Sequence, residues 1–279
     1  MCGIFGAIGA YSTDKLKVLA LLNENRGEHS CGFFDGQFLV KKTKPISKML
    51  KHPKLNKVRP QFVFGHARFA TMGNVSERNA HPFQYGHITG AHNGMIYNFE
   101  NVRQEGMQVD SEVIFWGLSQ YGTDFFKRLD GYWGLVWHDS RSPDFLYLMR
   151  HNCELAIAEE EKAIYFSSDI NDLKKAGLTA KELKENCVYV IDPSTLAISK
   201  WKIKGLKKNK KKIHWGAGLD YHVEWDEQRG PHGNSLNGNY LMLCENCGSI
   251  TSMEKVDVYG FCTECQELRE DEFGSHWQT

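Results

Sequence analysis

The sequence predicts an α+β fold in which stacked β-sheets are covered by helices, with a small cysteine-rich unit near the end. Many short strand patterns run through most of the chain, helix patterns occur on each side of its middle, and two CxxC pairs stand close to the end. Sheets and helices packed in layers around a shared core are one of the few stable arrangements for such a pattern. The 279 residues leave room for one large domain and an appendage.

The elements can be placed in order from local patterns. An apolar strand pattern covers 2–11, and cap chemistry beginning at Ser12 predicts a helix to about residue 25. Alternation over 31–42 around Asp35-Gly36 predicts a hairpin, and 41–60 is expected to be mostly loop. The further predicted strands are 61–71, 88–93, 132–138, 145–151, 155–158, 163–168, 188–192 and 197–203. The further predicted helices are 111–121, 123–129 and 170–176.

Charge and hydropathy exclude several classes of function. Lys and Arg together number 34, and Asp and Glu together also number 34. Because the charges balance, no net electrostatic field favours binding to nucleic acid or to a membrane surface. No run approaches the ~18 apolar residues of a membrane span. The start of the chain also lacks the basic and apolar regions of a signal peptide. We therefore expect a cytoplasmic protein with no membrane partner.

Cys2 is the first candidate for chemistry. If Met1 is removed, which a small second residue favours, Cys2 carries both a thiol and a free α-amino group. That amino group titrates near ~7.7–8.0, so it can serve as a base for its own thiol. On these residues alone, a small buried core cysteine is the alternative.

Further polar groups fall at predicted strand ends and helix starts. Taken singly, each stretch has a plain structural explanation, such as a helix end, a turn or a helix cap. The stretches are Arg-Gly-Glu-His-Ser at 26–30, Gly-His-Ala-Arg-Phe-Ala-Thr at 65–71, Asn-Ala-His-Pro-Phe at 79–83, His-Asn-Gly-Met-Ile-Tyr-Asn at 92–98 and Asp-Ser-Glu-Val-Ile at 110–114.

In this order, and together with Cys2-Gly3-Ile4, these stretches resemble the class II glutamine amidotransferase domain of the N-terminal nucleophile hydrolase superfamily. The resemblance covers roughly 2–200 and implies a four-layer αββα sandwich for a domain over 1–205. It implies that Cys2 attacks the side-chain amide of L-glutamine, releasing ammonia and leaving a glutamyl thioester. Asn93 and Gly94 match the family donors that stabilise the tetrahedral intermediate.

The resemblance also implies a clamp for the charged groups of the amino acid. Arg68 matches the arginine that binds the α-carboxylate, and Asp110 matches the carboxylate that pairs with the α-ammonium. Thr71 is expected to line the same pocket. The chain departs from the family at His29, where the family commonly has Asp, and this departure puts the local electrostatics and working pH in doubt.

The tail gives a second strong signal. The pairs Cys244-Cys247 and Cys262-Cys265 can bring four thiolates together tetrahedrally, as in a closed structural Zn²⁺ site. They resemble a zinc ribbon over 239–279, joined by a basic and polar linker over 206–238; free or redox-active pairs are the alternative. The ribbon could dock a partner, bind nucleic acid or brace the first domain, although its acidic composition does not favour nucleic acid.

The function that these observations predict is a glutaminase that supplies ammonia to a separate acceptor, a synthetase or ligase partner protein. Two alternatives stay open. An N-terminal nucleophile amide hydrolase could act on another substrate, but it would not need the clamp of Arg68 and Asp110. A non-catalytic interaction module on a hydrolase-like fold would not explain why the whole set of site residues is present.

Overall fold

The computed structural model describes residues 2–50 and 61–206, together with the backbone of two short strands, Leu241–Leu243 and Ile250–Ser252. The chain divides into two compact units, Met1–Lys212 and Ile213–Thr279. In the second unit the two short strands pair antiparallel. The predicted zinc ligands lie outside the described residues, as does nearly all of the predicted linker. Among the described helices, none is long and apolar enough to cross a membrane.

The first unit consists of short strands and five α-helices within its described residues. In chain order the strands are β1 (Gly3–Gly9), β2 (Ser30–Phe34), β3 (Leu39–Lys42), β4 (Phe62–Arg68), β5 (Phe83–Tyr85), β6 (Ile88–Ile96), β7 (Gly131–Asp139), β8 (Leu146–His151), β9 (Ala156–Glu159), β10 (Ala163–Ser167), β11 (Ala180–Glu182), β12 (Cys187–Ile191) and β13 (Ile198–Lys202). The helices are α1 (Thr13–Glu24), α2 (Ile46–Met49), α3 (Phe99–Val102), α4 (Asp110–Tyr121) and α5 (Ile170–Lys175), and a 3-10 helix covers Gly122–Arg128.

These strands form two antiparallel sheets. The first has seven strands in the order β11-β9-β10-β1-β4-β2-β3, and the second has six in the order β13-β12-β8-β7-β6-β5. In the first sheet, β1 lies between β10 and β4, with Gly3 opposite Ala67. In the second, β6 pairs with β7 along its whole length, with Asn93 opposite Gly134. The strand that Cys2 precedes, β1, is therefore the central strand of the first sheet, and β6, which carries the predicted oxyanion donors, has a strand on each side.

Three apolar clusters show how the layers pack. Ile4 and Leu148 belong to a cluster formed by strands of both sheets. Leu19 of α1 belongs to a second cluster, on the other face of the first sheet. Ile114 of α4 and Trp137 of β7 belong to a third, between the second sheet and its helices. The order of layers is helices, sheet, sheet, helices, as the sequence predicted for stacked and covered sheets.

Local chemistry explains where the first elements begin and turn. The Ser12 hydroxyl accepts a hydrogen bond from Lys15 N at 3.4 Å, which confirms the predicted cap of α1. The predicted hairpin is β2–β3, and Asp35 Oδ1 accepts from the amides of Gln37 and Phe38 at 3.0 and 2.7 Å. Asp35 thus accepts hydrogen bonds from the backbone amides of the turn that strand pairing leaves without an acceptor.

The structure differs from the expectations in a few short elements. Residues 41–60 were expected to be mostly loop; the described part of this range also contains α2, because Ile46 and Met49 are buried against the first sheet, and 51–60 lie outside the described residues. The predicted strand 88–93 continues to Ile96, because β7 offers partners beyond Asn93. The three-residue strands β5 and β11 have no clear sequence pattern and were missed.

Candidate active site around Cys2

Cys2 lies immediately before β1, where β4 ends beside it. Its half-buried thiol donates a hydrogen bond to the Phe69 carbonyl, with Sγ and O 3.4 Å apart. Burial raises the pKa of this thiol, and the carboxylate of Asp110 acts in the same direction. A backbone hydrogen bond with Phe69 opposes that rise in pKa, as do the positive charges of the amino terminus of the chain and of Arg68. Because the pKa is raised on balance, the thiol needs a base to react at neutral pH.

The main chain of Cys2 is held by an ion pair. Arg26 Nε donates to the Cys2 carbonyl at 3.1 Å, and Arg26 Nη1 lies 3.1 Å from Asp169 Oδ2. Asp169 is itself fixed, because its other carboxylate oxygen caps α5 by accepting from Asn171 N at 2.8 Å. Arg26 therefore supports the position of Cys2.

Arg68 is buried at the end of β4 and reaches the loop that follows. Its Nη1 donates to the Asn74 carbonyl at 3.3 Å, and its Nη2 donates to the Met72 carbonyl. Thr71 is exposed in this loop, and Asn79 Nδ2 anchors the loop by donating to the Asn74 carbonyl at 3.0 Å. Each guanidinium Nη carries a second N–H, so the fork can hold the loop and still donate to a carboxylate.

Asp110 is the first residue of α4, and its carboxylate binds the end of β6. Its Oδ2 accepts from Ile96 N at 2.9 Å, and the Ser111 hydroxyl lies 3.4 Å from its Oδ1. The charge of Asp110 acts on both Cys2 and Arg68. The structure therefore places a thiol, a cation and an anion within electrostatic reach of one another.

Asn93 and Gly94 lie side by side on β6. The buried Asn93 amide has Cys153 as its contact, with Nδ2 and Sγ 3.9 Å apart, and the Cys153 thiol donates to the Asn93 carbonyl at 3.5 Å. Gly94 has φ +145°, and an added Cβ would lie 2.1 Å from the Tyr132 carbonyl. Only glycine fits this position, because both the backbone conformation and the space exclude a side chain.

Two neighbours of the site carried no sequence signal. Cys153, in the turn after β8, has its pKa raised to about 12 by burial. Tyr132 of β7 also has a raised pKa, mainly through burial, and its phenol senses the charges of Tyr97, Cys153, Asp110 and Cys2. Both residues reach the site through the pairing of β6, β7 and β8, which no local pattern reveals.

Three buried histidines form a layer behind the site. The rings of His66 and His81 stack with centroids 3.8 Å apart, and His66 Nε2 lies 3.0 Å from the His92 carbonyl. His92 Nδ1 lies 2.9 Å from the Ser111 hydroxyl. Burial lowers the pKa of His66 to about 3 and also lowers the pKa values of His81 and His92. They are neutral scaffold residues at physiological pH.

Within the part of the chain that the structure describes, no cluster of three or more His, Cys, Asp or Glu side chains could hold a metal ion.

Comparison with known sequences finds a family profile and longer relatives that match this chain. The family profile described as a glutamine amidotransferase domain matches residues 54–210. The glutamine–fructose-6-phosphate aminotransferase (isomerizing) of Neisseria meningitidis serogroup A is 33% identical over 201 residues, which cover 61% of this chain and 32% of that protein. The enzyme of the same name from Pyrococcus horikoshii is 30% identical over 195 residues, covering 61% and 33%. The chain thus spans about a third of the length of these curated relatives.

Comparison with solved structures supports the fold. The glutamine phosphoribosylpyrophosphate amidotransferase from B. subtilis, complexed with ADP and GMP, superposes with a TM-score of 0.57 at 21% identity, covering 72% of this chain and 49% of that one. The structure titled as the allosteric regulatory enzyme of purine biosynthesis gives a TM-score of 0.60 at the same identity and coverage. At this identity the likeness concerns the fold alone.

Proposed function

This chain belongs to the glutamine amidotransferase domain family, as a class II domain, and on that basis we propose that it hydrolyses the side-chain amide of L-glutamine through a thioester on Cys2. We further infer that its two stacked sheets are the αββα sandwich of the N-terminal nucleophile hydrolases. The layer order and the position of Cys2 directly before a central strand support that inference.

One observation carries the proposal. Arg68 and Asp110 lie within electrostatic reach of the Cys2 thiol and of each other. A free amino acid presents an α-carboxylate and an α-ammonium, so a cation and an anion beside a nucleophile suit it well. The guanidinium fork would take the carboxylate bidentately, and Asp110 would pair with the ammonium. Glutamine held in this way presents its side-chain amide to the thiol.

The steps follow from the groups present. Once Met1 is removed, the Cys2 α-amino group takes the thiol proton, and Sγ forms a bond to the amide carbon. The resulting oxyanion receives hydrogen bonds from Asn93 Nδ2 and the Gly94 N–H. The proton then passes to the leaving nitrogen, the C–N bond breaks, and ammonia departs. Water attacks the thioester by the same route, releasing glutamate and restoring the thiol.

The contact of Asn93 with Cys153 is compatible with this role. A thiol sulfur is a weak hydrogen-bond acceptor, and 3.9 Å is a long contact. An oxyanion is a much stronger acceptor, so the Asn93 amide can give up the Cys153 sulfur and bind the oxyanion at little cost in free energy.

The ammonia would pass to an acceptor synthetase or ligase. The relatives carry names of aminotransferases and amidotransferases, and the chain spans only a part of each. A cytoplasmic location stays a prediction.

The structural Zn²⁺ site of the tail is proposed from residue spacing. Four cysteine thiolates in two CxxC pairs would close a tetrahedral site with no open position, so the metal would stabilise the fold and not act in catalysis. Metal analysis of the purified chain should find about one zinc per chain, and Cys247→Ser should lower that content. A content well under one in the unmodified chain would refute the site.

The glutaminase proposal is tested by measuring glutamate release from L-glutamine. Cys2→Ala should abolish release, whereas Cys187→Ala, which alters a buried thiol in the core between the sheets, should keep most of it. Release that persists in Cys2→Ala would exclude the proposed nucleophile. Ammonia release from other amides, but not from L-glutamine, would favour an amide hydrolase with another substrate.

A further inference from the structure

His29 contacts three consecutive residues, the last residue of β4 and the two that follow it. Its main-chain N–H donates to the Arg68 carbonyl at 3.1 Å. Its ring packs on the Phe69 ring, with centroids 4.7 Å apart and planes 31° from parallel. Its Nδ1 accepts a hydrogen bond from the Ala70 N–H at 2.9 Å. The side chain thus restrains Phe69 by an apolar contact and Ala70 by a polar one, and the main chain of His29 holds Arg68.

Segment 68–70 is the one that the Cys2 thiol touches. The Phe69 carbonyl accepts the thiol hydrogen bond at 3.4 Å, and Arg68 supplies the cation of the site. The turn before His29 lies against the same segment, because an added Cβ at Gly27 would be 2.3 Å from the Arg68 carbonyl carbon. The position of the Phe69 carbonyl therefore depends on how His29 holds its neighbours.

The hydrogen bond from Ala70 requires neutral His29. An imidazole nitrogen can accept from an amide only when it carries no proton, so Nδ1 must be bare and Nε2 must hold the single proton. An imidazolium has two donors and no acceptor. Protonation of Nδ1 would place its N–H against the Ala70 N–H, so the Ala70 amide would lose its hydrogen-bond acceptor.

The charged groups around His29 favour the neutral form on balance. Burial lowers its pKa below the ordinary value of 6.5, and the positive charges of Arg68 and of the amino terminus act in the same direction. Glu28 on the same turn opposes them. His29 is therefore neutral at physiological pH and takes up its proton only in acid.

We propose that His29 is a positioning residue for Cys2, which in its neutral form fixes the Phe69 carbonyl and thereby orients the thiol toward bound substrate. The proposal rests on the proposed function, since it takes Cys2 as the nucleophile. It adds a specific residue, and a protonation state, to the control of the reaction.

Two substitutions separate the parts of this role. His29→Asn places Oδ1 close to where Nδ1 lies, so it keeps an acceptor for Ala70 but does not titrate. His29→Phe keeps a ring on Phe69 but removes the acceptor. His87→Asn is the matched control, because it makes the same change at the opposite end of β6 from the site. Thermal melting establishes that each variant is folded, and His29→Asn carries the test if His29→Phe is not.

The experiment measures how fast Cys2 reacts between about pH 5 and about pH 8 with two probes. The diazoketone analogue of glutamine reports on a correctly oriented thiol, and iodoacetamide reports only on ionised thiol. With the diazoketone, the wild-type rate should fall more steeply in acid than that of His29→Asn, by about tenfold for each pH unit below the His29 pKa. His29→Phe should react slowly with it throughout, and His87→Asn should follow the wild type.

With iodoacetamide the order should reverse. Protonated His29 adds a positive charge beside the segment that the thiol contacts, and this charge favours the thiolate. The wild-type alkylation rate should therefore fall less steeply in acid than that of His29→Asn. A residue that merely stabilises the fold would not give opposite effects with the two probes.

The outcomes separate this inference from the proposed function. Parallel wild-type and His29→Asn profiles with both probes would overturn the role of His29 and leave the glutaminase proposal intact. If the diazoketone labels no wild-type Cys2 at any pH, the glutaminase proposal fails. The role of His29 is then judged by the iodoacetamide profiles, which must still diverge below pH 6.5, the ordinary histidine pKa.

Discussion

Acid should destabilise this fold through the buried histidines behind the site. For His66, burial lowers the pKa from 6.5 to about 3 in the folded chain. Between those two values the unfolded chain binds a proton that the folded chain does not. The stability contributed by neutral His66 is therefore complete above pH 6.5 and is lost as the pH falls toward the folded pKa.

The size of the effect follows from that difference. One pKa unit corresponds to about 1.4 kcal/mol, so His66 alone removes roughly 2.6 kcal/mol from the free energy of unfolding between about pH 7.5 and about pH 4.5. A total stability of about 5–15 kcal/mol is usual for a domain, so this loss is substantial. His81 and His92 act in the same direction, because burial lowers their pKa values too. The buried carboxyl of Asp172, whose pKa is raised, acts in the opposite direction.

Urea unfolding followed by tryptophan fluorescence at the two pH values would measure this loss. His66→Gln keeps an N–H donor for the His92 carbonyl but does not titrate. It should lose roughly 2–3 kcal/mol less than the wild type on acidification, even though it starts from a lower stability. Leu148→Ala, a core truncation with no titratable group, should lower stability by about the same amount at both pH values, within roughly 2–5 kcal/mol.

Equal acid losses in His66→Gln and in the wild type would refute this reasoning. They would show that His66 is protonated in the folded chain, or that another group dominates acid unfolding.

Three further changes test the site itself. Arg68→Lys should raise the KM for glutamine by about tenfold or more with a smaller effect on kcat, because one bidentate, charge-assisted contact with the α-carboxylate is lost. An unchanged KM would exclude Arg68 from the clamp. Gly94→Ala should lower kcat by roughly 10²–10³, because its Cβ forces the oxyanion donor away, and near-normal turnover would contradict that. Asp169→Asn weakens the ion pair with Arg26, and Arg26 holds the Cys2 carbonyl. Because that contact is worth about 1–2 kcal/mol, kcat/KM should fall by about tenfold. Thermal melting separates this effect from unfolding.

Much of the fold could be read from local patterns, because local chemistry decides those elements. The cap at Ser12 and the Asp35 turn each satisfy backbone donors with a nearby side chain, so α1 and the β2–β3 hairpin were predicted correctly. The short helix α2 was missed, because it is stabilised by burial of Ile46 and Met49 against a distant sheet and not by its own sequence. The extension of β6 beyond Asn93 was missed for a similar reason, since β7 provides its partners.

The candidate site shows the same limit. Motifs that follow one another along the chain pointed to Cys2, Arg68 and Asp110, and the structure places these three within electrostatic reach. Cys153 and Asp169 gave no signal, because strand pairing alone brings them to Asn93 and to Arg26. Contacts between segments far apart in sequence depend on the register of the sheets, which no single stretch encodes.

The proposed function requires Cys2 to be a mature N-terminal nucleophile in a glutamine pocket. Intact-mass analysis before and after exposure to the diazoketone analogue of glutamine tests it most directly, because labelling needs no acceptor enzyme. We expect a chain without Met1 that gains a single adduct, mapped to Cys2, at a rate that added L-glutamine slows. Retention of Met1, or a chain without Met1 that gains no adduct on Cys2, would contradict it.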